Sequence, residues 1–327
     1  MARAVAVSHA AGEISEEHGL ALFRSMLLIR RFEETVQALF IKGEVHGTTH
    51  LYIGEEAGAV GVADVLAPED RVAGTYRGHG HALSLGVHPQ ALLDEMLGRA
   101  TGVCGGRAGS MNVIDLKHRL IGCFGIIGGS ASAATGAALA LRRTGGVAVA
   151  FFGEGTTNHG YLHECLNFAA VQKLPIVFVC ENNLYGEFTP FGDVTAGDIQ
   201  ARVAAYGIGV RTVDGNDVWA VREAAADAVS RARAGGGPQF LQTMTYRFVG
   251  HSRSDPGAYR KPGELDKWKL RDPLLVTRAG LRERHDTPDA ELDRIDSDVN
   301  EQMERVAEAA LAAPYPNPAV RATEFRG

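Results

Sequence analysis

Two short apolar runs with an amphipathic segment between them dominate the pattern of the chain. Residues 147–152 are wholly hydrophobic and stop at Gly153-Glu154-Gly155. Residues 160–172 follow a helical period, Lys173-Leu174-Pro175 breaks it, and residues 176–180 form a second apolar run that ends at Glu181-Asn182-Asn183. Apolar runs of this length bounded by turn residues predict buried strands. The unit therefore reads strand–turn–helix–strand, with polar residues at the carboxyl end of each strand. In parallel sheets ligands bind outside those ends. The two glycines allow a tight turn and a close backbone approach, and the following helix start offers free N–H groups to an anion. Glu154, Asn182 and Asn183 offer hard oxygens of the kind magnesium takes beside phosphate. The pattern predicts a metal–diphosphate site.

The rest of the chain extends this alternation. A helix is predicted over 16–42 from the spacing of Leu20, Phe23, Leu27, Phe32, Val36 and Leu39, with Arg30-Arg31 and Glu33-Glu34 on its other faces as solvated charges or a subunit contact. A small-residue helix runs to Leu66, a short strand covers 72–75, and another helix covers 89–98. The glycine-dense stretch 101–130 predicts loop, its backbone closely approached by another group. Residues 130–141, nearly all Ala, Ser and Leu, predict a buried, tightly packed helix. Further expectations are a polar loop over 185–197, a helix over 199–206, a strand over 210–213, a helix over 218–234 capped by the turn 214–217, and a strand over 239–246. Alternating strands and helices imply an α/β fold: a mostly parallel sheet with helices on both faces. A long polar segment, 247–262, reads as a functional loop. Helices to about residue 312 and a Pro-rich extended tail end the chain. Residues 1–14 read as a flexible arm, and 15–327 as one domain.

Composition narrows the partners. A net charge of −6 gives no reason to expect nucleic acid or an anionic membrane. No apolar run approaches the ~18 residues of a membrane span, and the N-terminus lacks the apolar core of a secretion signal, so a cytoplasmic location is expected. Cys104, Cys123, Cys165 and Cys180 form no C-x-x-C pair and read as structural thiols. His159 and His163 stand four apart on a helix, but the order H-G-Y-L-H-E is not a zinc-protease pattern.

Gly153-Glu154-Gly155 followed by 26 residues (156–181) and Asn182-Asn183 resembles the signature of thiamine-diphosphate enzymes. Seven motifs in order narrow this to the α subunit of the E1 component of 2-oxo-acid dehydrogenase complexes: HLYIGEEA (50–57), TYRGHGHAL (75–83), GRAGSMN (106–112), GIIGGS (125–130), GEGTTNHG (153–160), KLPIVFVCENNLYG (173–186) and YRFVGHSRSDPGAYR (246–260). The wording of 250–260 and 263–274 resembles acetoin dehydrogenase α subunits most, with pyruvate dehydrogenase α subunits next.

The resemblance implies the thiamine-diphosphate-binding fold and the following roles. Glu154 and Asn183 ligate Mg²⁺ through side chains and Tyr185 through its carbonyl. Gly155 and Thr156 present N–H groups to the diphosphate, which Tyr76 and Arg77 also hold. Gly125 and Ile127 lie where the cofactor bends. His50 and His251 stand near the reacting carbon, His251 also touching the diphosphate, whereas His79 and His81 are weaker candidates. Ser252 and Ser254 fall where some relatives are phosphorylated. Glu154 departs from the family, which has Asp there; the expectation is a retained site with a shifted backbone. The implied reaction is decarboxylation of a 2-oxo acid such as pyruvate, or cleavage of acetoin, with the acyl unit passed to a lipoyl E2 acyltransferase. The activating carboxylate comes from a separate E1 β subunit, so an α₂β₂ heterotetramer is implied. The alternatives are an acyloin-forming lyase or ligase and a degenerate, non-catalytic partner subunit.

Overall fold

The computed structural model describes residues 14–318, so all but one residue of the expected arm lies outside the described residues. In chain order the elements are α1 (Glu16–Ile41), α2 (Glu56–Ala63), β1 (Arg71–Thr75), α3 (His79–Ser84), α4 (Pro89–Met96), β2 (Leu120–Phe124), α5 (Gly129–Leu141), β3 (Ala148–Gly153), α6 (Gly160–Gln172), β4 (Ile176–Asn182), the two-residue strands β5 (Tyr185–Gly186) and β6 (Thr189–Pro190), α7 (Phe191–Val194), α8 (Ile199–Ala204), β7 (Gly209–Asp214), α9 (Val218–Arg231), β8 (Gln239–Met244), α10 (Glu264–Lys269), α11 (Pro273–His285) and α12 (Asp289–Ala312). Six strands form one parallel sheet in the order β2-β1-β3-β4-β8-β7. Chain direction along the sheet reverses beside β1, so a crevice opens at the carboxyl ends of β1 and β3.

The period-two alternation of the strands builds two cores. Val149 and Phe151 of β3, Val177 and Val179 of β4 and Leu241 of β8 face the layer of α1, α2 and α9. Ala148, Ala150, Phe152, Ile176, Phe178, Cys180 and Phe240 face α5, α6 and α8. Phe152 packs edge-on against Phe178 and Phe240 with ring centroids 6.4 and 5.9 Å apart; burial of each ring is worth about 2–3 kcal/mol. Asp217 caps α9 by accepting from the N–H groups of Trp219 and Ala220, as the turn chemistry predicts. Among the described residues no helix is long and apolar enough to cross a membrane.

Several expectations change. The charges of α1 are not all on solvated faces. Arg30 is buried and donates to Glu56 and Asp272, and Glu33 is fully buried against His79. The helix α5 buries only one face; Leu139, Gly136 and Ala140 stand exposed. The glycine-dense stretch contains a sheet strand, β2. Strand β4 runs two residues beyond the apolar run, carrying Glu181 and Asn182 into the buried interior. The loop 185–197 contains the β5–β6 hairpin. His163 is bonded at both ring nitrogens, to the Tyr206 hydroxyl and the Thr157 carbonyl, and all four cysteines are free thiols.

The group that approaches the glycine-rich backbone belongs to the chain itself. The buried Glu95 carboxylate accepts from the N–H groups of Cys104, Gly106, Ala108 and Gly109, at 2.7, 2.8, 2.6 and 3.3 Å. Gly105, Gly106 and Gly109 hold positive φ, which turns successive N–H groups toward one anion. Replacing Glu95 with alanine leaves several buried N–H groups without an acceptor and is expected to cost about 3 kcal/mol or more. Denaturant unfolding measures this; a loss under ~1 kcal/mol would mean the loop holds itself.

Candidate active site

The carboxyl ends of β1, β2, β3 and β4 open into a cleft of about 390 Å³. Each strand delivers its polar residues where its hydrogen-bonded ladder ends. Strand β1 delivers Tyr76, β2 delivers Gly125 to Gly128, β3 delivers Glu154 to Thr156, and β4 delivers Asn183 and, through a sharp turn, Tyr185. His50 enters from the segment before α2 and His251 from the long loop after β8. Of the eleven residues to which the resemblance gives catalytic, cofactor or metal roles, ten, His50, Tyr76, Gly125, Ile127, Glu154, Gly155, Thr156, Asn183, Tyr185 and His251, line this cleft.

Arg77 is the exception. Its guanidinium lies behind the wall, donating to the carbonyls of Leu51 at 2.5 Å and His251 at 3.1 Å, with Nε 3.5 Å from Glu55 Oε2. It thus joins the segments that carry His50 and His251. Three rings cluster there: His50 is 4.6 Å from Tyr76 and 4.9 Å from His251, centroid to centroid.

The loop 247–260 is folded onto this wall. Arg247 donates to the Glu187 carbonyl and the Tyr259 hydroxyl and contacts His251 Nδ1 at 3.3 Å. Asp255 accepts from the Tyr259 hydroxyl and the backbone N–H of His251 and of Gly257. Ser252 and Ser254 lie within the same loop, Ser254 exposed.

Two carboxyls meet at Asn183. Glu154, 1% exposed, accepts from the Asn183 backbone N–H at 3.2 Å. Glu55 accepts from the Asn183 side-chain amide at 3.1 Å. Burial pushes both up to about 7, opposed for Glu55 by Arg77 and for Glu154 by backbone N–H groups. Beneath them, Glu181 is gripped by the Tyr52 hydroxyl and by His81 at 3.0 Å, and His79 bridges Glu33 and Ser110. His79 and His81 are thus fixed structural histidines, away from the cleft.

Desolvation, followed by the Arg77 charge, drives His50 down to about 3 and His251 down to about 4; Arg247 adds to the fall for His251. Both imidazoles are therefore neutral at working pH. In the unfolded chain they protonate near 6.5, so through them the fold loses stability as pH falls from 6.5 toward 4. Glu55 and Glu154, with raised values, act in the opposite sense between 7 and 4.5. The expected result is that NMR titration of the cofactor-free chain, assigned with His50→Gln and His251→Gln, shows no imidazole midpoint above about pH 5 at either position. Midpoints near 6.5 would contradict the burial and charge argument.

Glu55, Arg247 and Met111 were given no role from the sequence, and His159 was weighed only as half of a zinc pair. Met111, His159 and Glu187 line the cleft. The signal for Glu55 was an acidic pair inside an otherwise apolar helix start. Arg247 had no local signal, because its partners come from two different loops.

A sequence profile of the family "Dehydrogenase E1 component" matches residues 24–319. The α subunit of acetoin:2,6-dichlorophenolindophenol oxidoreductase from Bacillus subtilis is 42% identical over 307 residues, covering 93% of this chain and 92% of that protein. Its counterpart from Cupriavidus necator is 43% identical over 318 residues, covering 94% of each. Pyruvate dehydrogenase E1 component subunit alpha-3, chloroplastic, from Arabidopsis thaliana is 41% identical over 312 residues, covering 93% of this chain and 73% of that one. With the family profile spanning nearly the whole chain and relatives above 40% identity over more than nine-tenths of it, this protein belongs to the dehydrogenase E1 component family.

Proposed function

We propose that this chain is the α subunit of a thiamine-diphosphate-dependent E1 enzyme acting on acetoin or a 2-oxo acid such as pyruvate, by carbon–carbon cleavage or decarboxylation with acyl transfer to a lipoyl E2. The observation that carries the reading is the convergence of Glu154, Gly155, Thr156, Asn183, Tyr185, Tyr76 and His251 on one cleft at the strand ends. The donor set suits a magnesium diphosphate. Glu154 is buried with no ion-pair partner among the described residues, a costly state that a cation relieves. The Glu154 carboxylate, the Asn183 amide oxygen and the Tyr185 carbonyl are hard oxygens. The N–H groups of Gly155 and Thr156 sit in the turn after β3, suited to phosphate oxygens.

When bound, thiamine diphosphate supplies a carbon nucleophile and an electron sink. The chain's own residues hold and shield. Glu154 and Asn183 would hold the metal and Gly155 and Thr156 the diphosphate, and Ile127 would pack against the cofactor. His50 and His251, neutral at working pH, can each accept a proton at one ring nitrogen while donating from the other. Tyr76 packs beside both and excludes water.

The cleft is one wall of a site. Ile126, 73% exposed, stands at its mouth beside Ile127, and exposed Leu139, Tyr161, Phe168 and Val171 continue over α5 and α6. Exposed apolar groups of this extent favour a protein partner. A β subunit seated here supplies the activating carboxylate and completes an α₂β₂ assembly. Reconstitution tests the reading: turnover of acetoin or a 2-oxo acid that requires thiamine diphosphate and magnesium is expected, and an assembly that binds no thiamine diphosphate with any divalent metal contradicts it.

A further inference from the structure

We propose that Glu55 is a positioning residue that orients the Asn183 side chain, so that the amide oxygen and not the amide nitrogen is available to a metal ion. The proposal rests on the functional reading above, which takes Asn183 as a metal ligand. Glu55 does not line the cleft; it acts through Asn183 from behind. The backbone turns inward just before it, at Gly54, whose φ of +101° only glycine adopts freely. That turn leaves Glu55 at 2% exposure, buried between β1's exit and β4's end.

The hydrogen bonds give the orientation a cause. Glu55 Oε1 accepts from Asn183 Nδ2 at 3.1 Å. The Glu55 oxygen that accepts here faces the amide NH₂, where the amide oxygen would meet an acceptor and not a donor. The opposite end, Oδ1, accepts from the Tyr185 N–H at 3.3 Å, on the side of the cleft. The two ends of a carboxamide are nearly alike in size, so a flip has little steric cost, and without the acceptor behind it only the long bond from the Tyr185 N–H opposes it. A flipped Asn183 presents two N–H donors to a cation. Glu55 also lies 3.5 Å from Arg77 Nε, and its Oε2 makes no hydrogen bond. Two roles are thus open to separation: orienting the amide, which needs reach and an acceptor, and balancing Arg77, which needs charge.

Glu55→Gln keeps the reach and an acceptor oxygen but removes the charge. Glu55→Asp keeps the charge but draws it back by one methylene, out of bonding distance of Asn183. The measurement is thiamine diphosphate binding to the assembled αβ complex by equilibrium dialysis against a magnesium titration, together with kcat at saturating magnesium and the melting temperature. The expected result is that Glu55→Gln stays within about threefold of wild type, while Glu55→Asp raises the half-saturating magnesium concentration about tenfold or more. With saturating magnesium, kcat in both stays within about threefold. If Glu55→Asp fails to assemble, Glu55→Met, of matching length and without an acceptor, is expected to show the same rise. The proposal is overturned if Glu55→Gln is impaired and Glu55→Asp is not, which would assign the charge beside Arg77 as what matters. It is overturned equally if neither moves the magnesium dependence, or if both lower the melting temperature alone. A wild-type complex without metal-dependent binding overturns the functional reading itself, and this proposal with it; normal wild-type binding with insensitive Glu55 variants overturns this proposal only.

Discussion

Glu154→Ala is expected to weaken binding of thiamine diphosphate to the assembled, magnesium-loaded enzyme by about 100-fold or more, with activity falling in parallel. Removing one charged ligand from a buried cation site costs about 3–5 kcal/mol, which converts to ~10²–10⁴ in affinity. The carboxylate is 1% exposed and bonded to the Asn183 N–H, so no surface side chain can stand in for it. Glu154→Asp separates ligand chemistry from ligand length. Magnesium demands oxygens at about 2.0–2.1 Å in near-octahedral array, and the residue sits in the short turn directly after β3, where a backbone shift of a fraction of an ångström would make up for one methylene. The Asp variant is therefore expected to bind within about tenfold of wild type. Equilibrium dialysis with a metal titration measures both. An alanine variant that binds like wild type would remove Glu154 from the metal site.

Arg77→Ala carries the second large effect. It breaks two bonds to backbone carbonyls, at Leu51 and His251, and withdraws the cation nearest Glu55. A buried carboxylate left without its counter-charge costs about 3–5 kcal/mol, so the variant is expected to lose about 3 kcal/mol of stability. Because those carbonyls adjoin His50 and His251, kcat/KM is expected to fall by about 100-fold even where the protein stays folded. Denaturant unfolding and steady-state kinetics of the assembled enzyme check the two parts. A fall under about tenfold, with unchanged stability, would mean that Arg77 is a bystander behind the wall.

The β3–α6–β4 unit was legible because its signals are local. Apolar runs, two glycines and a Lys-Leu-Pro break specify strand, turn and helix without reference to the rest of the chain. The placement of Glu154 and Asn183 at strand ends was legible for the same reason. Strand β2 was hidden: Leu120–Phe124 is five residues long with a glycine inside it, in a stretch dense in glycine. Arg30 and Glu33 were set on outer faces because helical spacing cannot see their partners, Glu56, Asp272 and His79. The anchoring of the glycine-rich loop escaped for a similar reason. Glycine density announces that something approaches the backbone, but not that it is Glu95 on the preceding helix. Arg77 was assigned to the diphosphate by motif; the structure turns its guanidinium to the protein's own carbonyls instead. Spacing thus placed the groups that end strands, and left open those held by side chains from distant elements.

The most direct test of the account is to assay the purified chain alone and again after assembly with a β subunit, with thiamine diphosphate, magnesium and either acetoin or a 2-oxo acid. No measurable turnover is expected from the chain alone, and full metal-dependent turnover from the assembly. Appreciable turnover by the chain alone would contradict this, because the cleft described here would then be a whole active site.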